Sequence, residues 1–476
     1  MVARNRMTID KSRCLILFMI ISIVWCLLIV SNAAALVDNP KDNLNKSLVL
    51  SIGGQKASVN GTIVDMGRDN IPQIVDSRTL IPLRFVSETM GANVTWKSDS
   101  CTVEISKGNS QVVMQMGNTV FTNNGKSCSL DVPPAMINDR VFVPIRVLAE
   151  ALGFNIQFYD PLIVLNKDNA KLSLREKRWL IKNLNIEDAI NKMADMIIAD
   201  IIKPAMTDLE KVYAIFRYFF TETGYDLKAP NRYTASGALV DGRSVCGGNA
   251  EAVQVLMKRA GFESHSIIGT VDRIDHAWNI IKLGDKYYHL DVTMNAFLKS
   301  DADMKKAYTW PQNSSLICNN DSPAPQGWNF YVKGDYIYYS DFGNNTMLQI
   351  FNKSSNFYRV KLDGSGKELL FKSTDSPIWI WTCDGENCYY GLRDGDILYK
   401  TNLSTTQTIS YKTPILDSGG FERMYNEGGW IYIYTSAYPE GEFFRIKTDG
   451  TGCEKIMDDG TAEKCVNECW PVFTHM

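Results

Sequence analysis

Histidine is scarce in this chain: there are four in 476 residues, and none precedes His265. That excludes an imidazole-based copper site from the first half. No Cys/His pair shows the spacing of a structural zinc site. A basic excess is also missing, since 50 Lys and Arg stand against 53 Asp and Glu for a net charge of -3. Residues 1–35 hold Arg4, Arg6, Lys11 and Arg13 against Asp10, so the remainder is more acidic than the whole. The balance argues against nucleic acid or an anionic lipid surface as the main partner. Beyond Val30 no apolar run is long enough to span a bilayer. The hydrophobic fraction of 45% is ordinary and lets each of about three domains bury a core.

What is present centres on residues 244–291. Cys246 is followed by Gly247 and Gly248, then by Ala250, Val253, Leu256, Met257 and Ala260 at helical spacing, with Gly261 as the stop. A thiol in the first turn of a helix meets unpaired N–H groups and the positive end of the dipole, which favour thiolate. The same N–H groups suit an oxyanion. The two glycines are expected where a substrate backbone must approach. Residues 276–283 and 286–293 read as a hairpin around Gly284-Asp285. A two-residue turn there sets Trp278 opposite Asp291, so His276 and Asp291 share a face as diagonal neighbours. A one-residue slip would separate them. Cys246, His276 and Asp291 thus offer an attacker, a proton acceptor and an orienter. His289 shares the face of Asp291 and reads as a structural strand residue. His265 reads as core or rim of the preceding strand.

With Asp208-Leu209-Glu210-Lys211-Val212, Gly224-Tyr225-Asp226 and Gly237-Ala238-Leu239-Val240-Asp241-Gly242, these residues resemble the transglutaminase-like superfamily, a papain-related fold, and in particular its secreted bacterial branch. The resemblance implies Cys246 as nucleophile, His276 as base and Asp291 as orienter; the residues themselves give no expectation of a cofactor or a metal. Asn249 stands where these proteins usually have an aromatic residue, and Met294-Asn295 replaces a usual Trp-Asp. These departures touch substrate contacts and leave the triad intact.

The chain opens with a basic segment, an apolar run over residues 14–30 and the small residues Ser31-Asn32-Ala33-Ala34-Ala35. This is the pattern of a secretory signal peptide over residues 1–35, cut after about Ala35, or else kept as an anchor. Export to the outside of a bacterial cell is the expectation, secreted or bound to its surface or wall. Residues 46–168 contain a repeat: Arg78-Thr79-Leu80-Ile81-Pro82-Leu83-Arg84-Phe85 returns as Arg140-Val141-Phe142-Val143-Pro144-Ile145-Arg146-Val147. Each copy reads as strand, Pro at a helix start, short helix, Gly stop and strand. The segment resembles the stalk domain named after the N-terminal domain of copper amine oxidases, which implies a spacer on the cell surface. Arg84 and Arg146 are expected to form structural ion pairs.

Residues 172–202 read as a helix ended by Lys203-Pro204, packing with a second helix over 209–220 into a lobe before Cys246 within a domain of residues 170–300. Residues 300–327 read as a linker. From 328 to 476, Phe357-Tyr358-Arg359-Val360-Lys361-Leu362-Asp363-Gly364 recurs as Phe443-Phe444-Arg445-Ile446-Lys447-Thr448-Asp449-Gly450, with a degenerate copy at Ile397-Leu398-Tyr399-Lys400 between them. That period suits propeller blades and resembles propeller-like repeat domains of secreted bacterial proteins. Bridges between Cys101 and Cys128, Cys383 and Cys388, and a pair among Cys453, Cys465 and Cys469 are conceivable.

The expected whole is a multidomain α+β chain: a repeated β-α-β stalk module, a papain-like/transglutaminase-like α+β core and C-terminal all-β propeller-like repeats. The expected chemistry is an exported cysteine-dependent enzyme on peptide or amide bonds. Its partners would be a protein or peptidoglycan-peptide substrate and a cell-wall polymer, with a membrane met only through an uncleaved signal segment. The alternative is a non-catalytic envelope adaptor.

Overall fold

A computed structural model describes residues 43–313, 315–325, 330–341, 355–373, 378–392, 397–412, 421–427, 429–435 and 443–455. The expected signal segment, Cys465 and Cys469 lie outside them. The chain divides into two compact units: described residues up to Asp200 with Leu239–Asp241, and those of Ile201–Ala238 with Gly242–Met476.

In the first unit both sequence copies fold as strand, helix, strand. One copy comprises Arg78–Pro82, Leu83–Thr89 and Asn93–Lys97, and the other Arg140–Pro144, Ile145–Leu152 and Asn155–Tyr159. Pro82 and Pro144 are the N-caps, where a missing N–H leaves no helical bond unmade. The first strands of the copies pair antiparallel with Ile81 opposite Val143, equivalent positions, so a local two-fold relates them. Ser47–Ser51 pairs with Leu162–Asn166 and completes the second copy's sheet from the start of the described chain. Leu50, Ile81, Val86, Val143, Leu148 and Leu165 share one core. Arg84 pairs with Glu88 at 3.2 Å on the surface.

The expected helix over 172–202 is two helices, Leu174–Asn183 and Ala189–Ile201. Asn185 and Asp188 break it at φ +57° and +53°, a region these side chains tolerate. Up to Asp200 they belong with the N-terminal unit, not with the lobe before Cys246. Polar ties explain why: the Asn43 N–H donates to Glu176 at 3.0 Å, and Lys192 pairs with Asp160 at 2.6 Å.

The second unit holds α1 (Asp208–Glu222), α2 (Cys246–Arg259) and a five-stranded antiparallel sheet. Its strands are β1 (Ser264–Val271), β2 (Ile274–Leu283), β3 (Lys286–Asp291), β4 (Ala296–Lys299) and β5 (Tyr308–Thr309), in the order β4-β3-β2-β1-β5. Leu283 pairs with Lys286 and Asn279 with Leu290, the register a two-residue Gly284-Asp285 turn requires. Asn279 ties β2 to α2 by donating to the Ala250 carbonyl at 3.0 Å.

Residues 300–313 and 315–325 are not a bare linker. They form the short helix α3 (Asp301–Met304), capped by Ser300, and the edge strand β5, which pairs with Thr270 and Val271. Their Asp and Ser side chains fold back on local backbone, as Asp321 does in accepting the Ser300 N–H at 2.7 Å. Polar composition there records turn chemistry rather than freedom.

Among the described residues the C-terminal part forms three four-stranded antiparallel sheets, each with its strands in sequence order. Tyr358, Tyr399 and Phe444 lie on the third strand of each. Stacked rings run from Phe357 through Phe371 and Tyr390 to Tyr399, with centroids 4.7, 4.7 and 5.1 Å apart. The first sheet is joined to α1: Tyr213 donates to the Phe330 carbonyl at 2.8 Å, and Phe297 lies 5.0 Å from both Phe216 and Phe330.

Every cysteine among the described residues is a free thiol. Cys101 and Cys128 are not bridged, since each sulfur turns to a nearby carbonyl, Ser98 and Lys126 respectively. Cys383 and Cys388 face each other across paired strands, their thiols hydrogen-bonded and unbridged. Among the described residues no helix is long and apolar enough to cross a membrane.

Candidate active site

Cys246 is the first residue of α2, after Val245 in extended conformation at the N-cap. The first turn carries no acidic side chain and the last carries Lys258 and Arg259, so the helix presents its positive end to the sulfur undiluted. Gly248 has a packing role that its sequence position did not reveal. A Cβ there would collide with the Arg232 and Thr234 carbonyls, so the helix start rests directly on the protein's own 232–234 segment. At Gly247 a Cβ would meet only Tyr233, at 3.7 Å or more.

His276 and Asp291 are both buried, and His276 Nε2 lies 2.6 Å from Asp291 Oδ2. Asp291 has few freedoms left. Oδ2 also accepts from the Tyr308 hydroxyl at 3.0 Å, and Oδ1 accepts the Thr293 and Met294 N–H groups at 2.9 and 3.0 Å. With Nε2 on the carboxylate, Nδ1 is the ring nitrogen left for the Cys246 sulfur.

The electrostatics favour an ion pair. Burial opposes ionisation of Cys246, but the His276 hydrogen bond, the Ala277 N–H, the imidazolium charge and the Gly247 N–H outweigh it and hold the thiol below its ordinary pKa. Burial likewise opposes the charged His276 ring, yet its bonds to Asp291 and Cys246 and their charges raise it to about 9. Both shifts favour the thiolate–imidazolium pair over the neutral thiol and imidazole.

Two further residues of the site escaped the sequence reading. Tyr225 hydrogen-bonds the Cys246 sulfur and accepts the Cys246 N–H; burial and the nearby thiolate push its phenol up to about 12. Tyr308 sits in the segment read as a linker. Asn249 accepts from Ser244 at 2.5 Å and donates to Thr293 at 3.2 Å, so it ties the helix start to the loop after Asp291. Asn295 takes φ +60° in that loop.

The other two described histidines fall elsewhere. His265 lies on the rim, 2.8 Å from Glu263. His289 is fully buried and bonds Trp278 and Asp301 rather than Asp291. Ligand atoms of His289, Asp301 and Cys318 lie within 4.8 Å of one another, a grouping that linear spacing could not reveal.

Two family models match stretches of the chain. Residues 195–292 match the transglutaminase-like superfamily. The chain carries a transglutaminase-like domain. A copper amine oxidase N-terminal domain precedes it, matched over residues 43–100 and 58–160. A curated relative, a protease inhibitor of Brevibacillus choshinensis, is 23% identical over 120 residues, which is 25% of this chain and 34% of that protein. The chain thus spans about a third of that relative's length. Solved structures similar to parts of the chain include a TGase (14% identity, 31% of this chain and 47% of that one, TM-score 0.21). A putative TolB from Agrobacterium tumefaciens is another (16% identity, 42% and 72%, TM-score 0.25).

Proposed function

We propose that the chain is an exported thiol enzyme that opens a peptide or side-chain amide through a thioester on Cys246. One observation carries this reading: a buried His276–Asp291 hydrogen bond beside a sulfur at a helix start, with both titrating groups biased toward the ion pair. In the first step the thiolate attacks the carbonyl carbon. The Tyr225 hydroxyl, released from the sulfur as the S–C bond forms, donates to the resulting oxyanion. The imidazolium passes its proton to the departing amine nitrogen, the C–N bond breaks and the thioester remains. Water or a second amine, relieved of a proton by the now neutral imidazole, then displaces the sulfur. Hydrolysis and cross-linking share this acylation.

The proposed substrate is a protein or a peptidoglycan peptide. The N-terminal unit serves as a surface stalk, and the C-terminal sheets contact wall polymer. No cofactor takes part.

The test is alkylation by iodoacetamide at neutral pH, read residue by residue by mass spectrometry on the full chain and on Cys246→Ala. Cys246 should react faster than every other cysteine, and an acyl probe should label it alone. If Cys246 reacts no faster than the exposed Cys101, the enzyme reading fails and a non-catalytic envelope protein takes its place.

A further inference from the structure

We infer that His289 and Asp301 form a second histidine–carboxylate pair, which acts through the Trp278 indole as a positioning device for His276. The inference rests on the acyl-transfer reading above. Trp278 stands two residues beyond His276 on β2, and its indole lies against that imidazole at 6.0 Å between centroids and 17° between planes. Tyr308 and Trp310 close on the indole edge-on at 5.2 and 5.8 Å. The indole has one polar atom, a donor. Its acceptor is His289 Nδ1 at 2.9 Å, and both residues are buried.

That bond fixes the tautomer of His289. A ring that accepts at Nδ1 carries its hydrogen on Nε2 when neutral, and Nε2 lies 2.9 Å from Asp301 Oδ1. Burial, the largest influence on His289, keeps it below its ordinary pKa and so neutral. Asp301 is anchored in turn, since its N–H donates to the Cys318 carbonyl at 2.7 Å and its side chain accepts the Cys318 thiol. The result is a fixed line from Asp301 through His289 to the ring that backs the catalytic imidazole.

The same atoms invite comparison with a metal centre, but their protonation opposes it. An ion on Nε2 needs the hydrogen on Nδ1, where it would confront the indole N–H, donor against donor. Burial and the Asp301 charge push the Cys318 thiol up to about 12, away from the thiolate a metal requires. The cluster is a hydrogen-bond relay.

The experiment measures the rate of Cys246 alkylation against pH on the full chain, with melting temperature alongside. His289→Leu removes the acceptor and should slow alkylation at pH 7 by about tenfold and move the thiolate midpoint upward. His289→Asn, which restores an oxygen near the Nδ1 position, should recover most of the loss. In a Trp278→Phe background, which keeps an aromatic ring and drops the N–H, His289→Leu should add nothing.

The inference is overturned if His289→Leu lowers only the melting temperature, or if its effect on rate persists undiminished in the Trp278→Phe background. Should His289→Leu not fold, Trp278→Phe alone decides, and an unchanged midpoint there overturns the inference. Zn²⁺ titration by calorimetry should show no stoichiometric binding; one-to-one binding lost in Cys318→Ser would replace the relay with a metal centre. A wild-type Cys246 no more reactive than Cys101 would sink the enzyme reading itself. A fast wild type with an equally fast His289→Leu would sink only the relay.

Discussion

Asp291→Asn is the most searching perturbation of the site, because every acceptor position of that carboxylate is occupied. Its Oδ1 faces two backbone donors and its Oδ2 faces His276 and the Tyr308 hydroxyl. A carboxamide has one oxygen. If it stays with Thr293 and Met294, its NH2 turns on His276 Nε2 and drives the hydrogen to Nδ1, the nitrogen that must receive the cysteine proton. Turned the other way, it sets an NH2 against two backbone N–H groups, and either leaves a buried polar group unpaired. The charge is lost as well. His276 is raised from 6.5 to about 9, a preference for the imidazolium worth about 3 kcal/mol, shared between Asp291 and Cys246. Losing roughly half of that slows Cys246 alkylation at pH 7 by about tenfold. The tautomer error should lower turnover further, by about a hundredfold or more. The assay is the pH profile of Cys246 alkylation, with circular dichroism to show that the variant folds. A folded Asp291→Asn protein with an unchanged midpoint and a rate within twofold of wild type would refute the coupling of Asp291 to the sulfur.

Three further expectations follow from the same geometry. Turnover should fall as pH rises through about 9, where His276 loses its proton, while alkylation of the thiolate continues; stability measured by denaturant should follow. The sign is set by a folded pKa that is raised, so the contribution of His276 is complete below about 6.5 and fades through about 9. On the proposed acyl transfer, Tyr225→Phe should leave KM nearly unchanged and lower kcat by about tenfold or more. Gly269→Ala should destabilise the fold by about 2 kcal/mol or more in thermal unfolding, because its Cβ would collide with the Thr309 carbonyl and crowd the Trp278 ring at 2.9 Å. The same collision lifts β5 and carries Tyr308 away from Asp291.

What could be read from the sequence was local. A two-residue turn at Gly284-Asp285 sets the β2–β3 register, and that register alone decides that His276 and Asp291 share a face. The helix after Cys246 was legible from its spacing and its glycine stop. The strand–helix–strand copies announced themselves by repetition, but the pairing of Ile81 with Val143 did not, since nothing in a repeat says which edges meet. Tyr308, Tyr225 and the Trp278–His289 bond were out of reach for another reason. Each joins residues through a fold whose packing is set elsewhere, and a lone tyrosine in a polar stretch carries no periodic signal. Residues 300–325 looked unstructured because their helix and strand are too short to show a period. The break at Asn185 and Asp188 was hidden by an apolar stripe that runs on across it.

The aromatic seam formed by Phe216, Phe297 and Phe330 has a practical bearing on how this protein can be dissected. Phe330 is the opening residue of the repeat sheets, yet it fills the interior of the thiol-bearing domain. A cut between Phe297 and Phe330 would therefore leave a raw apolar scar on one fragment and strip a seat from the other. Force applied to the first repeat sheet is therefore passed to α1 through Phe330 itself.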